Sequence, residues 1–222
     1  MKIILCLFLL TNTATAAKLS PSIYFTATSN EIADDCSMRR QLVDVKGSVL
    51  AKVCKNFYKS CVLEGSCMIN KKNSQVVIYS YIRTINNVPR FAVVNNSKCF
   101  YGLGVKGICL DPFYSVASDL NHHKPGDVIF VPKLKGVELP SGEIHDGYVI
   151  VRDRGGAIIG PNRFDFFTGS YTYTDPKNSF SKLGFSATNN HFIFEKITGV
   201  VADQIRKNRN YPFVPEQKNN SN

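Results

Sequence analysis

Three aspartates, Asp119, Asp153 and Asp165, sit in similar local sequence. Asp119 precedes a Pro-Gly turn in VASDLNHHKPGDVIFVP, Asp153 ends the apolar run GYVIVRD, and Asp165 lies within RFDFF. A carboxylate flanked by Phe164, Phe166 and Phe167 is costly unless it has partners or a task. Apolar neighbours and a second carboxylate both raise a carboxyl pKa. A carboxyl tuned in this way exchanges protons near neutral pH, which is the chemistry of a general acid and base. An Asp at a strand end before Gly-Gly is also a common turn former, so no one of the three identifies a catalyst alone.

Several neighbours extend the set. On a strand, Phe164 and Phe166 point away from Asp165, so Asp165 can line a groove while they enter a core. Gly155, Gly156 and Gly160 permit a tight bend and close approach of a ligand. Arg163 and Arg154 offer planar forks for carboxylate groups, or hold an aspartate in place. Glu64 and Tyr58, in YKSCVLEGSC, are further groove candidates, with a surface Glu and a packed Tyr as the plain alternative. His122, His123 and His145 with Asp146 form the one cluster that suggests a metal. Adjacent histidines on a strand point to opposite sides, so they read as loop histidines; no metal and no cofactor is expected. With no Trp in the chain, Tyr and Phe must supply any sugar platform.

The elements that must position these residues are mostly strands. SQVVIYSYIRTI (74–85) and RFAVVNN (90–96) flank a turn at Asn86–Asn87. GDVIFVP (126–132), GYVIVRD (147–153) and HFIFEKI (191–197) are short apolar or alternating runs bounded by turn residues. Helical periodicity is weak, with one short helix placed somewhere in residues 36–61. Many short strands with Gly and Pro punctuation predict a closed or partly closed β-barrel.

The ends and the composition set the context. MKIILCLFLLTNTATAA has the charged start, short apolar run and small-residue end of a signal peptide, here residues 1–17. A secreted or periplasmic protein without stable membrane insertion is expected. Residues 18–205 are assigned to the barrel with an N-terminal extension, and the polar residues 206–222 to a flexible tail. Cys36, Cys54, Cys61, Cys67, Cys99 and Cys109 follow the signal segment, and an oxidising compartment makes disulfides the expectation over zinc. Their spacing leaves all fifteen pairings open. The formal charge of +10 favours an acidic partner, and export favours a wall polymer over nucleic acid.

VASDLNHHKPGDVIFVP, followed by HDGYVIVRDRGGAIIGPNRFDFFTG, resembles the three-aspartate (3D) domain. That domain is shared by membrane-bound lytic transglycosylase A and smaller secreted wall-lytic proteins. Asp119, Asp153 and Asp165 match the family's three aspartates. YKSCVLEGSC resembles an upstream element of some 3D-domain proteins. Pro161 lengthens the bend by one residue, the segment KLKGVELPSGEIHD lengthens the first link, and Cys67 stands where a glycine is expected. The large second domain of the membrane-bound enzymes is expected to be absent.

The resemblance implies a double-psi β-barrel with short helices and loop insertions, and a groove across it. It implies cleavage of peptidoglycan glycan strands between N-acetylmuramic acid and N-acetylglucosamine, leaving 1,6-anhydro ends. By carry-over, Asp165 is the acid/base, with Asp153 and Asp119 orienting the sugar or holding the groove. The protein is expected to act as a monomer. A non-catalytic, expansin-like polysaccharide-binding module is the alternative.

Overall fold

A computed structural model of the protein describes residues 17–30, 36–94 and 98–215. The expected signal peptide lies outside these residues apart from Ala17, as do 216–222 of the expected tail.

The chain begins with strands β1 (Ala17–Tyr24), β2 (Ala27–Asn30), β3 (Arg39–Val43) and β4 (Val49–Cys54), then helix α1 (Lys55–Glu64). Strands β5 (Ser66–Asn70), β6 (Val76–Ile85), β7 (Val88–Val94), β8 (Ser115–Ser118), β9 (Val128–Phe130), β10 (Tyr148–Asp153) and β11 (Arg163–Phe167) follow. Helix α2 (Ser179–Lys182), strand β12 (Phe192–Ile197) and helix α3 (Gly199–Asn208) complete the described part.

Six strands close a barrel in the order β1-β11-β8-β10-β9-β12, with β12 returning to β1. The pairs β1·β11 and β8·β10 are parallel, and the other barrel pairs are antiparallel. Alternation along these strands sends Leu19, Val116, Ile129, Val149, Val151, Phe164 and Phe166 into one buried core. The fold is mostly β, as the strand signals predict, and RFDFF divides its faces as expected, with Phe164 and Phe166 both fully buried.

A second sheet, β2-β5-β6-β7, and the hairpin β3–β4 stand beside the barrel. They have their own core, including Leu42, Val53, Ile69, Tyr79 and Phe91. The β6–β7 hairpin matches its sequence signal. Asn86 and Asn87 adopt φ of 49° and 60°, the left-handed pair that suits a two-residue turn between twisted strands.

Two expectations change. Much of the stretch 36–61 is a hairpin of β3 and β4, because β-branched Val43, Val49 and Val53 favour strands, and the expected helix begins only at Lys55 and runs on to Glu64. Gly47, at φ 92°, turns that hairpin, and Asp44 Oδ1 accepts the Lys46 and Ser48 amides at 2.8 Å each. The segment from residue 206 is not a loose tail through Val214. It completes α3 and then packs on the barrel: Arg209 Nη2 reaches Asp111 Oδ2 at 2.8 Å, and its Nε reaches the same oxygen at 3.0 Å. Of the charges read as tail polarity, Arg209 belongs to this ion pair and Arg206 to one with Asp203.

The six described cysteines pair in sequence order, Cys36–Cys54, Cys61–Cys67 and Cys99–Cys109. The second of these clamps the end of α1 to the start of β5, with Glu64 inside the loop it closes.

Candidate active site

The site is built on strand register. Ala117 in β8 is the partner of Asp165 in β11 on one side and of Asp153 in β10 on the other. Ser22 in β1 is in turn the partner of Asp165. Partners in register share a face, so Ser22, Asp165, Ala117 and Asp153 form one row across four strands. The row lies on the face opposite the buried Phe164 and Phe166.

A bulge places Asp153 in the row. Val151 pairs with Val116, but Asp153 rather than Arg152 pairs with Ala117. In regular register Arg152 would stand beside Ala117 and Asp153 would face the barrel core. The extra residue exchanges them, which is how bulges re-aim side chains beside functional sites. Arg152 is then fully buried, and its guanidinium donates to the carbonyls of Cys109 (3.0 Å), Phe213 (2.6 Å), Pro212 (3.3 Å) and Arg209 (3.1 Å). It also lies 3.9 Å from Asp111 Oδ2 and over the Tyr211 ring. From the other side Gly104 abuts the bulge so closely that a Cβ there would sit 2.2 Å from the Arg152 carbonyl oxygen. The C-terminal turn and the 104–109 loop therefore hold the bulge between them.

Three half-buried carboxyls gather here. Burial pushes Asp153 up to about 7, and the Asp165 charge adds to this; the Arg154 amide and the Tyr24 hydroxyl oppose it. Asp165 is raised by burial, against the Ser22 hydroxyl, which donates to Oδ1 at 2.5 Å, and the nearby Arg163 charge. Burial, followed by the Asp165 charge, raises Glu64 to about 7, although its Oε2 accepts the Phe25 amide at 3.1 Å. Asp153 and Glu64 are thus set to hold or release a proton near neutrality, and Asp165 is held above the ordinary carboxylate range.

Asp119 is placed differently. Its two carboxylate oxygens accept the Gly160 amide (2.9 Å) and the Asn121 amide (3.0 Å), and these bonds hold its pKa below the usual range. It braces the 154–162 bend, and His123 Nε2 helps by meeting the Pro161 carbonyl at 2.7 Å. The extra residue in the bend is thereby fastened to the loop after β8.

The other expected residues divide. Arg163 lies on the Asp165 face, and its Nη1 donates to the Ser20 carbonyl at 3.0 Å. Tyr58 packs edge-on against Phe91 in the second core, the plain alternative for it. Gly155 lacks a side chain for packing reasons: a Cβ would meet Ile158 at 2.4 Å. Gly156 borders open space and leaves its backbone approachable. His145 is a core residue, stacked on Tyr114 with Nε2 against the Phe113 carbonyl at 2.9 Å.

Ser22 and Tyr24 were not found from the sequence. Pro21 interrupts the strand signal of KLSPSIY, and Asp165 is 143 residues from Ser22. The one local cue is the spacing Ser22-x-Tyr24, two polar groups on one face of a strand.

The 3D domain family matches residues 114–176, which carry Asp119, Asp153 and Asp165. Escherichia coli MltA with bound chitohexaose is similar in fold, with a TM-score of 0.55 and 13% identity over 82% of this chain and 72% of that one. A membrane-bound lytic murein transglycosylase from Agrobacterium tumefaciens has a TM-score of 0.53 and 12% identity over 83% of this chain and 75% of that one. No curated protein matches the chain. Residues 114–176 are thus a 3D domain, set in a fold similar to that of MltA.

Proposed function

We propose that the protein is a lytic transglycosylase that cleaves peptidoglycan glycan strands. The observation that carries the reading is the row Asp165–Ala117–Asp153 inside the matched 3D domain. Its likeness to a lytic transglycosylase solved with a chito-oligosaccharide supports a glycan as ligand. The two parallel strand pairs of the barrel support the double-psi description.

In this mechanism Asp165 begins protonated. Its proton passes to the oxygen between N-acetylmuramic acid and N-acetylglucosamine, and the bond from that oxygen to the muramyl anomeric carbon breaks. The Asp165 carboxylate then takes the proton of the muramyl 6-hydroxyl, whose oxygen bonds to the anomeric carbon. The products are a 1,6-anhydromuramyl end and a free hydroxyl, with no water consumed and Asp165 reprotonated. An internal nucleophile removes the need for a second carboxylate on the opposite face, so one group serves both steps. Asp153 and Glu64 keep the neighbourhood proton-rich, and Arg163 and the open backbone at Gly156 meet the sugar or its substituents. Asp119 keeps the bend in place. No cofactor takes part.

The three disulfides and the leading apolar segment support an exported, periplasmic or secreted protein. Digestion of purified sacculi with the wild-type protein, followed by mass spectrometry, tests the reading. Release of anhydro-muropeptides is expected. Sacculus binding with no soluble product would overturn it in favour of an expansin-like module.

A further inference from the structure

Arg209 ties together the two strands on which the place of Asp153 depends. It stands at the end of α3, whose Ala202 and Ile205 pack against Val128 of β9 and Ile150 of β10. The guanidinium forks onto Asp111: Nη2 donates to Oδ1 at 2.9 Å and to Oδ2 at 2.8 Å, and Nε donates to Oδ2 at 3.0 Å. It also lies over the Tyr114 ring, 3.4 Å from its centroid. Nη1 reaches Glu143 Oε1 at 3.3 Å, and the Tyr114 hydroxyl donates to that same oxygen at 2.8 Å. Asp111 and Tyr114 lead directly into β8, where the Ser115 hydroxyl accepts the Asp111 amide at 2.7 Å.

The main chain of Arg209 serves the other strand. Its carbonyl accepts Arg152 Nη2 at 3.1 Å, and the carbonyls of Pro212 and Phe213, in the turn that Arg209 opens, accept Arg152 Nη1. That turn has Asn210 in the left-handed region at φ 49°, and the Phe213 amide donates to the Asn210 carbonyl at 2.8 Å. Arg152 is the bulged residue of β10. One residue thus holds the approach to β8 with its side chain and the bulge of β10 with its backbone. The Asp111 side chain is 6% exposed and that of Arg209 15%, so this is no solvated surface pair. A planar fork and an aromatic face are both features that an ammonium group cannot match.

We propose that Arg209 is a positioning residue for Asp153: its fork on Asp111 and its seat on Tyr114 fix the turn whose carbonyls hold Arg152, and so keep the bulge that sets Asp153 beside Ala117. Gly104 confines the bulge from one side, and the turn after α3 supplies the donors' partners on the other. Without the fork the turn is released, Arg152 loses three of its four carbonyl acceptors, and the exchange of Arg152 and Asp153 between faces is no longer enforced. The inference rests on the lytic reading only for its catalytic consequence; the placement of Asp153 is a property of the protein alone.

Arg209→Ala removes the fork, and Arg209→Lys keeps the charge without it. Both are studied below their melting temperatures, with the carboxyl titrations of Asp153 and Asp119 followed by carbon-detected NMR and anhydro-muropeptide release measured on sacculi. In Arg209→Ala the Asp153 midpoint falls toward the ordinary carboxylate range as the side chain leaves its buried place, while Asp119, fastened to the 154–162 bend, keeps its own. Arg209→Lys moves Asp153 in the same direction by less. For release, kcat falls about 10²-fold in Arg209→Ala, the scale expected when a distant change misplaces a group at the site, and KM changes little. An Asp153 midpoint at the wild-type value in a folded Arg209→Ala overturns the inference, as does a shift of Asp153 and Asp119 together, which reports general loosening. A loss of release confined to KM overturns it too. Should Arg209→Ala not fold, Arg209→Lys decides by the same titrations. Absence of anhydro ends with the wild type would remove the lytic reading and leave the titrations to decide the placement of Asp153.

Discussion

Asp165 and Asp153 face one another across a single alanine, each the register partner of Ala117 from its own side. The pairing depends on two features of β10: its parallel run beside β8, and the bulge at Arg152. Two carboxylates so placed, in a poorly solvated setting, cannot both ionise freely, and the Asp165 charge raises Asp153. Glu64 enters from the second sheet's helix and adds a third carboxyl to the same field.

The Glu64 carboxyl makes stability fall with rising pH. Its folded pKa, about 7, lies above the ordinary value of 4.5, so the folded state holds a proton that the unfolded state releases between them. Its favourable contribution is complete below about pH 4.5 and is lost as pH rises through 7, up to about 3 kcal/mol. Glu64→Gln keeps an acceptor for the Phe25 amide but no charge. Urea unfolding should show the variant more stable than wild type at pH 8 and equal to it near pH 4.

Arg152 is expected to matter for the placement of Asp153, its neighbour at the bulge. Arg152→Met removes the donor to four backbone carbonyls and should cost about 3 kcal/mol, since breaking a buried charged network is strongly destabilising. Gly104→Ala should perturb the same bulge from the other side, because its Cβ would collide with backbone rather than with a flexible side chain. Denaturation midpoints measure the first effect. A fall of the Asp153 pKa toward the ordinary carboxylate range, read by NMR, measures the second.

The Cys61–Cys67 disulfide closes a loop of sequence separation 6 around Glu64. Replacing both cysteines by alanine should cost about 2 kcal/mol of stability from loop entropy. The Cys36–Cys54 pair, of separation 18, serves as the comparison. Its removal should cost slightly more stability yet leave product release less affected, because its loop holds none of the carboxyls gathered at Ala117. Melting curves and product release on both double variants separate the two effects.

Much of the barrel was legible because its signals are local. β-branched runs bounded by Gly and Pro mark β9, β10 and β12, and alternation in RFDFF divides the core face from the site face. Asp153, Asp165, Arg163 and Glu64 stood out in short segments. Tyr24 and Ser22 did not, since their meaning comes from pairing with a strand that lies far along the chain. The bulge was also hidden: it needs a partner strand to be seen, and Arg152 reads in sequence as an ordinary polar position in YVIVRD. Asp119 shows the reverse limit. Its motif matches that of the other two, but its carboxylate is occupied by backbone amides. The C-terminal segment read as loose because Arg209 finds its partners, Asp111 and Glu143, only in the folded protein.

The central claim is that Asp165 carries the proton in both steps. Asp165→Asn, shown by its melting curve to be folded, is incubated with purified sacculi beside the wild type, and the muropeptides are compared by mass spectrometry. Release of 1,6-anhydro ends by the wild type and its reduction by about 10²–10⁴-fold in the variant is the predicted result, the range expected for loss of a general acid and base. Undiminished release by the variant would contradict the account.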